Sequence, residues 1–222
     1  MKNYYEAYDE RYKAVHEKNL RCMGYESSPI VAEILKKYAI PMDAPLLELG
    51  CGEGRDSIAV LEQGYRLRAT DVSPQAVGYC REQYPDFADR FTVLDAVKGK
   101  LDEKFDFIYS VAVIHMLVDD ESRSAFCAFV RDHLTEHGIA LICTMGDGTI
   151  ERATDITKAF DLSERTFEGN TMLVAETSCR IVTFEAFEKE LTHSHLEIVE
   201  KGLTSVENQF PVMMYAVVKR EP

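Results

Sequence analysis

Apolar positions follow two rhythms along the chain, and each change of rhythm marks an element. Ser28 before Pro29 reads as a cap and a first helical position, after which Ile30, Val31, Ile34, Leu35 and Tyr38 recur at helical spacing. From residue 45 the pattern repeats: 46–49 predicts a strand, 56–63 a helix, 66–70 a strand and 74–84 a helix, with further strands over 91–94 and 105–109. A helix is predicted from about 121 to 134, with Phe126, Phe129, Val130 and Leu134 on one face and Gly138 ending it. Residues 139–144 are small and apolar and read as a central strand. Strands alternating with helices imply a mostly parallel sheet covered on both faces, because each crossover needs a helix to return the chain.

Three stretches depart from this rhythm. Residues 3–20 set Tyr4, Tyr5, Tyr8 and Tyr12 among charged side chains, so residues 1–27 are expected to form an N-terminal helical lid or strut ahead of a domain over 28–222. Residues 146–182 are polar and irregular, with a strand expected near 171–175, and read as a substrate-recognition insert after the fifth strand. A helix near 184–191 precedes two strand-like runs, 195–203 and 212–218, which suit an antiparallel hairpin closing one sheet edge.

A chain of 222 residues, 46% hydrophobic, suits one soluble globular domain. No stretch approaches the ~20 apolar residues of a membrane span. MKNYYEAYDERYKAVHEKN lacks the apolar core of a secretion signal, so a cytoplasmic location is expected. A formal charge of −13 repels phosphate backbones and anionic membranes, which disfavours both as partners. The six cysteines show no CxxC pairing, so no metal site and no disulfide framework is expected, and free thiols fit a reducing compartment. A soft-element site on Cys22, Cys143 and Cys179 would need the fold to bring them together.

The stretch LLELGCGEGRDS, residues 46–57, turns from an apolar strand into Gly50, Gly52 and Gly54 and then into a helix. A glycine turn there lets backbone approach a ligand closely. Asp71 follows the second predicted strand, where a carboxylate can accept from both hydroxyls of a ribose. These features suit a dinucleotide or another adenosine ligand. A pyrophosphate prefers a helix N-terminus with few acidic neighbours, and Glu48 and Glu53 weigh against it.

ELGCGEG resembles the first motif of class I S-adenosylmethionine-dependent methyltransferases, and ATDVSPQAV, residues 69–77, looks like the second. LDAV, 94–97, matches the position of the family's acidic residue beside the adenine, and FDFIYSVAVIHML, 105–117, is similar to its fourth-strand motif. The resemblance runs over about residues 28–222. It implies a Rossmann-like seven-stranded sheet in the order 3-2-1-4-5-7-6 with the last strand antiparallel, and S-adenosylmethionine as cofactor. It would place Glu48 and Gly50 near the methionine portion, Cys51, Gly52 and Gly54 in the turn, and Asp71 with Val72 at the ribose. Asp95 and Ala96 would flank the adenine, and Ser110 and Val111 would lie near the amino-acid end.

Methyl transfer from a sulfonium is an in-line displacement, so the protein must align the acceptor and exclude water, with a base needed only where the acceptor loses a proton. His115, just beyond the fourth strand and with an unperturbed pKa of ~6.5, is the first candidate for such a base or for an acceptor contact. Asp147, in MGDG, is the second, although its flanking glycines suit a purely structural turn equally well. Arg180 could grip a substrate carboxylate or an internal acid, and Tyr4, Tyr5 and Tyr12 could close over either ligand. The expected activity is methylation of a small molecule. The alternatives are a protein or nucleic acid acceptor, or a non-catalytic adenosine-ligand subunit. SVAVIH replaces the Asn-Pro-Pro-Tyr expected of nucleobase amino methyltransferases, which weakens the nucleic acid version.

Overall fold

The computed structural model describes residues 2–206 and 209–221. After a 3-10 turn at Tyr4–Glu6 come α1 (Ala7–His16), α2 (Pro29–Lys37), β1 (Leu46–Leu49), α3 (Arg55–Leu61), β2 (Leu67–Asp71) and α4 (Pro74–Gln83). Next follow β3 (Phe91–Val93), β4 (Phe105–Val111), α5 (Asp120–His133) and β5 (Leu134–Met145). The chain closes with β6 (Arg152–Ala153), β7 (Leu162–Phe167), β8 (Asn170–Ala175), β9 (Arg180–Ile181), α6 (Phe184–His193), β10 (Leu196–Val206) and β11 (Phe210–Arg220).

The main sheet is seven-stranded in the order β10-β11-β5-β4-β1-β2-β3, which is 3-2-1-4-5-7-6 when its strands are counted along the chain. β1 to β5 run parallel, while β11 is antiparallel to both β5 and β10, as the sequence leads one to expect. Every residue of β1 is buried, because helices cover both sheet faces. Strand alternation sends Leu46 into the core shared with Ile30, Ile34, Val60 and Val77 of α2, α3 and α4. Leu47 and Leu49 enter the opposite core with Phe126 and Val130 of α5 and Phe187 and Leu191 of α6. Each such side chain contributes about 1.5–3 kcal/mol by leaving water.

Local expectations are corrected in three places. Ser28 occupies the N-cap of α2, but its hydroxyl donates to Asp56 Oδ2 at 2.8 Å instead of capping its own helix. Gly138 does not end α5: the helix stops at His133, β5 begins at once, and Gly138 lies within the strand, where a Cβ would sit 2.7 Å from the Phe105 carbonyl oxygen. The 146–182 stretch is more ordered than its polarity suggests, since β7 and β8 form an antiparallel hairpin and β6 pairs with β9. β7 escapes sequence reading because LSERTF is largely exposed and lacks an apolar alternation. The hairpin nonetheless packs on α1, with Val15, Phe167 and Val174 in one cluster.

The turn that follows β4 is held against α5 and α6 by Arg123 of α5. Its guanidinium is buried, donates to Glu190 of α6 at 2.8 and 2.6 Å, and donates to the carbonyls of Ile114 and Leu117 at 2.7 and 3.1 Å. Arg123→Met removes one partner of this ion pair and strands both carbonyls. We expect a loss of about 3 kcal/mol in unfolding free energy by urea titration, and a loss under about 1 kcal/mol would contradict this account.

Candidate functional site

The site forms beyond the carboxyl ends of the parallel strands β1, β2 and β4, where open α/β sheets bind ligands. Gly50, Gly52 and Gly54 have φ of 80°, 53° and 82°, a left-handed backbone that side chains disfavour. An added Cβ at each of the three would point at protein atoms, while the backbone of Gly50 and Gly52 also borders the cavity described below. A Cβ on Gly50 would overlap Val113, one on Gly52 would lie 2.8 Å from the Tyr12 phenol oxygen, and one on Gly54 would lie 3.1 Å from Cys80 Sγ.

The turn is tied to the end of β2. Gly50 and Cys51 donate their amides to the Thr70 carbonyl at 2.7 and 2.8 Å, and Gly52 donates to Asp71 Oδ2 at 2.8 Å. Asp71 Oδ1 accepts from the Ser73 amide at 2.9 Å. Each carboxylate oxygen therefore keeps a lone pair for a further donor. Burial pushes the Asp71 carboxyl above its ordinary range.

Around this turn lies a cavity of about 100 Å³. An apolar part of its lining comprises Val72, Leu94, Ala96, Val97, Leu117 and Phe126, all in or against the core beside α5. A polar part comprises Glu48, Arg55, Asp56, Asp71 and Asp95. Glu48 is 3% exposed, and its Oε2 accepts from the Ser57 hydroxyl and from the Tyr109 phenol, the latter at 3.0 Å. Burial, reinforced by the nearby Asp56 carboxylate, pushes its carboxyl up to about 8.

The N-terminal segment supplies the remaining wall. Tyr5, Tyr8 and Tyr12 line the cavity, and Tyr5 donates to Asp95 Oδ2 at 3.0 Å while Asp95 Oδ1 accepts from the Val97 amide at 2.8 Å. Tyr4 lies outside the lining; its phenol oxygen accepts the Val118 and Asp119 amides at 2.7 and 3.3 Å. The segment is pinned to the glycine turn by Glu53, which accepts the Cys22 and Met23 amides, each at 2.9 Å, and contacts the His16 ring nitrogen at 2.8 Å. Asp9 adds a second attachment, accepting from the Ser73 hydroxyl at 2.7 Å and the Gln75 amide at 3.1 Å.

Of the residues singled out in the sequence, Glu48, Gly50, Cys51, Gly52, Asp71, Val72, Asp95, Ala96 and Val111 line this cavity together with Tyr5 and Tyr12. Gly54 and Ser110 do not: Gly54 packs on α4, and the buried Ser110 hydroxyl has no hydrogen-bond partner among the described residues. His115 is 2% exposed and outside the lining, edge-on to Phe210 at 6.1 Å. Burial, with the Arg123 charge behind it, pushes its pKa down to about 3, far from the unperturbed value that made it attractive as a base. Asp147 sits outside the lining in an Asx turn, accepting from the Thr149 amide at 3.0 Å and hydroxyl at 2.6 Å, which holds its carboxyl below the ordinary range. Arg180, also outside, donates to Asp120 at 2.5 Å and to the Val118 carbonyl at 2.9 Å, an internal pairing. Cys143 is buried in β5, where its thiol is pushed up and resists becoming the thiolate a soft element needs. Sequence reading missed Arg21, Met23 and Phe126 as lining residues, which lie outside every motif, and also Glu53, Arg55, Asp56, Val97, Val113 and Leu117, which lie inside the quoted motifs.

The sheet order and this turn define a Rossmann-like fold of the class I methyltransferase type. Residues 46–138 match the methyltransferase domain family, within a chain whose fold is that of the class I S-adenosylmethionine-dependent methyltransferases. It is 38% identical over 76 residues to Hemagglutinin 1 of Eikenella corrodens, covering 32% of this chain and 24% of that protein. It is 23% identical over 120 residues to the probable S-adenosyl-L-methionine-dependent methyltransferase TehB of Haemophilus influenzae, covering 53% of this chain and 42% of that one. The chain thus spans less than half the length of these curated relatives. Among solved structures, the Burkholderia thailandensis 1,6-didemethyltoxoflavin-N1-methyltransferase with bound 1,6-didemethyltoxoflavin and S-adenosylhomocysteine superposes with a TM-score of 0.65. That match has 17% identity and covers 87% of this chain and 77% of the other.

Glu48 gives the site a pH signature. Its folded-state pKa of about 8 exceeds the ordinary 4.5, so the folded form holds a proton that the unfolded form releases. The resulting stability is full below about 4.5 and is lost as pH rises through about 8. Glu48→Gln is expected to flatten the fall of unfolding free energy across that window, by at most about 1.4 kcal/mol per pH unit. Parallel urea titrations of both proteins check this, and identical slopes would refute it.

Proposed function

We propose that the chain binds S-adenosylmethionine in this cavity and transfers its methyl group to a small-molecule acceptor. The observation that carries the reading is the joint between the glycine turn and Asp71, with Asp95 and the apolar group around Phe126 in the same cavity. The donor set fits the cofactor: Asp71 keeps lone pairs for ribose hydroxyls, and Val72, Ala96, Val97, Leu117 and Phe126 suit an adenine ring. When bound, the sulfonium supplies an electrophilic methyl carbon. The chain's own residues hold the nucleoside, orient the methionine end beside Glu48 and Gly50, and keep water out.

The N-terminal segment acts as the lid. The cavity of about 100 Å³ is smaller than the roughly 300–1,000 Å³ of small-molecule sites, so Tyr5, Tyr8 and Tyr12 must shift to admit a ligand. Because β8 packs on α1, residues 1–27 and the 146–182 insert work as one enclosure. A tyrosine-lined site of small volume and a charge of −13 favour a small acceptor over a polymer, and the small-molecule enzyme from Burkholderia thailandensis supports the same reading. With no histidine in the lining among the described residues, alignment and desolvation carry the rate, which favours an acceptor that is already nucleophilic. Among the described residues no helix is long and apolar enough to cross a membrane, and with the free cysteines this supports a cytoplasmic setting.

Isothermal titration with S-adenosylhomocysteine beside NAD tests the reading. Micromolar or tighter binding of the first, with no heat from NAD, is expected, and Asp71→Asn should weaken it about tenfold or more. Heat from NAD alone would overturn the assignment.

A further inference from the structure

Cys51 sits in the glycine turn and lines the cavity, whereas Cys80 lies on α4, buried against that turn and outside the lining. Both thiols donate to one acceptor, the Gly52 carbonyl oxygen, Cys80 at 3.2 Å and Cys51 at 3.8 Å. They also lie within hydrogen-bonding reach of each other. No other two of the six thiols share an acceptor among the described residues. The packing around the pair is tight, since a Cβ on Gly54 would stand 3.1 Å from Cys80 Sγ and 3.2 Å from the Tyr84 ring. The hydrogen bond with Cys80, together with burial, pushes the Cys51 thiol well above its ordinary range and holds it protonated.

We propose that Cys51 and Cys80 are a modification site, a dithiol that hydrogen peroxide closes to a disulfide, and that closure weakens the cofactor site; the second half rests on the S-adenosylmethionine reading above. A cavity of about 100 Å³ admits an uncharged molecule little larger than water, and Cys51 is the thiol that faces it. The Cys51 sulfur attacks one peroxide oxygen, the O–O bond breaks, and a sulfenic acid and one water result. The Cys80 sulfur then attacks the sulfenic sulfur, and the hydroxyl leaves with the Cys80 proton as a second water. Two electrons pass from the thiols to one peroxide. Because Cys51 is held protonated, the first step is slow at neutral pH and quickens as pH rises. A disulfide sets its sulfurs about 2.05 Å apart, closer than hydrogen-bonded thiols stand, so the turn must follow Cys51 toward α4. That movement strains the bonds from the Gly50 and Cys51 amides to Thr70 and from the Gly52 amide to Asp71, and it removes both thiol donors from the Gly52 carbonyl.

The experiment treats the wild-type chain and Cys80→Ala with hydrogen peroxide, removes the excess with catalase, and follows both by peptide mass spectrometry and by calorimetry with S-adenosylhomocysteine. The wild type is expected to yield a Cys51–Cys80 cross-linked peptide lighter by two hydrogens. Its affinity falls about tenfold or more in the cross-linked fraction, and dithiothreitol restores it. Cys80→Ala binds as the reduced wild type does, gives no cross-link, and proceeds to a sulfinic acid on Cys51 that dithiothreitol does not reverse. A wild type that carries the sulfinic acid without the cross-link overturns the proposal, as does a cross-link that leaves the affinity unchanged. Should Cys80→Ala fail to fold, the wild-type peptide map and the dithiothreitol reversal decide the question without it. A reduced wild type that does not bind S-adenosylhomocysteine refutes the cofactor reading instead, and the cross-linked peptide then decides the thiol pair alone.

Discussion

A carboxylate buried inside the glycine turn organises this molecule. Glu53 is 2% exposed and cannot be solvated where it stands, so its oxygens must be met by protein donors. The chain answers with the Cys22 and Met23 amides and the His16 ring, all from the stretch between α1 and α2 or the end of α1. That single requirement folds residues 16–23 back over the turn. It brings Arg21 beside the cavity and leaves α1 lying against α4 and the β7–β8 hairpin. The glycine turn and residues 16–23 are thus one hydrogen-bonded unit.

A buried acid with protein partners recurs on β1 itself. Glu48 points into the face that carries Tyr109 and Ser57, while its neighbours Leu47 and Leu49 point into the opposite core. Asp56 lies close enough to raise its pKa, and is itself satisfied by the amide and hydroxyl of Ser28. Ser28 is therefore spent on tying α2 to α3 and not on its own helix end. Polar side chains that look like local punctuation become tertiary joints because burial makes an unmet partner costly.

The residues that motif spacing picked out for a ligand converge, whereas those picked out for chemistry scatter. Asp71 ends β2 and Asp95 follows its parallel neighbour β3, so topology alone sets them at one edge of the sheet. His115 also follows a strand, but its short 3-10 turn rotates it into the core, where a charged imidazole is disfavoured. Arg180 and Asp147 lie in the stretch after β5, where periodicity carries no information, and both are consumed by partners within reach: Asp120 and Thr149.

By itself the sequence determined the parallel strands, their helical crossovers, the antiparallel closing pair and the glycine turn with its two acids. Each of these rests on short-range periodicity or on a motif that acts through backbone geometry. Only the tertiary structure decided what the N-terminal tyrosines touch, that Arg21 lines the cavity, that Gly138 serves a close strand approach, and that His115 is sealed away. Those outcomes depend on which distant group satisfies a buried charge or donor, a choice made between segments tens of residues apart and invisible to local pattern.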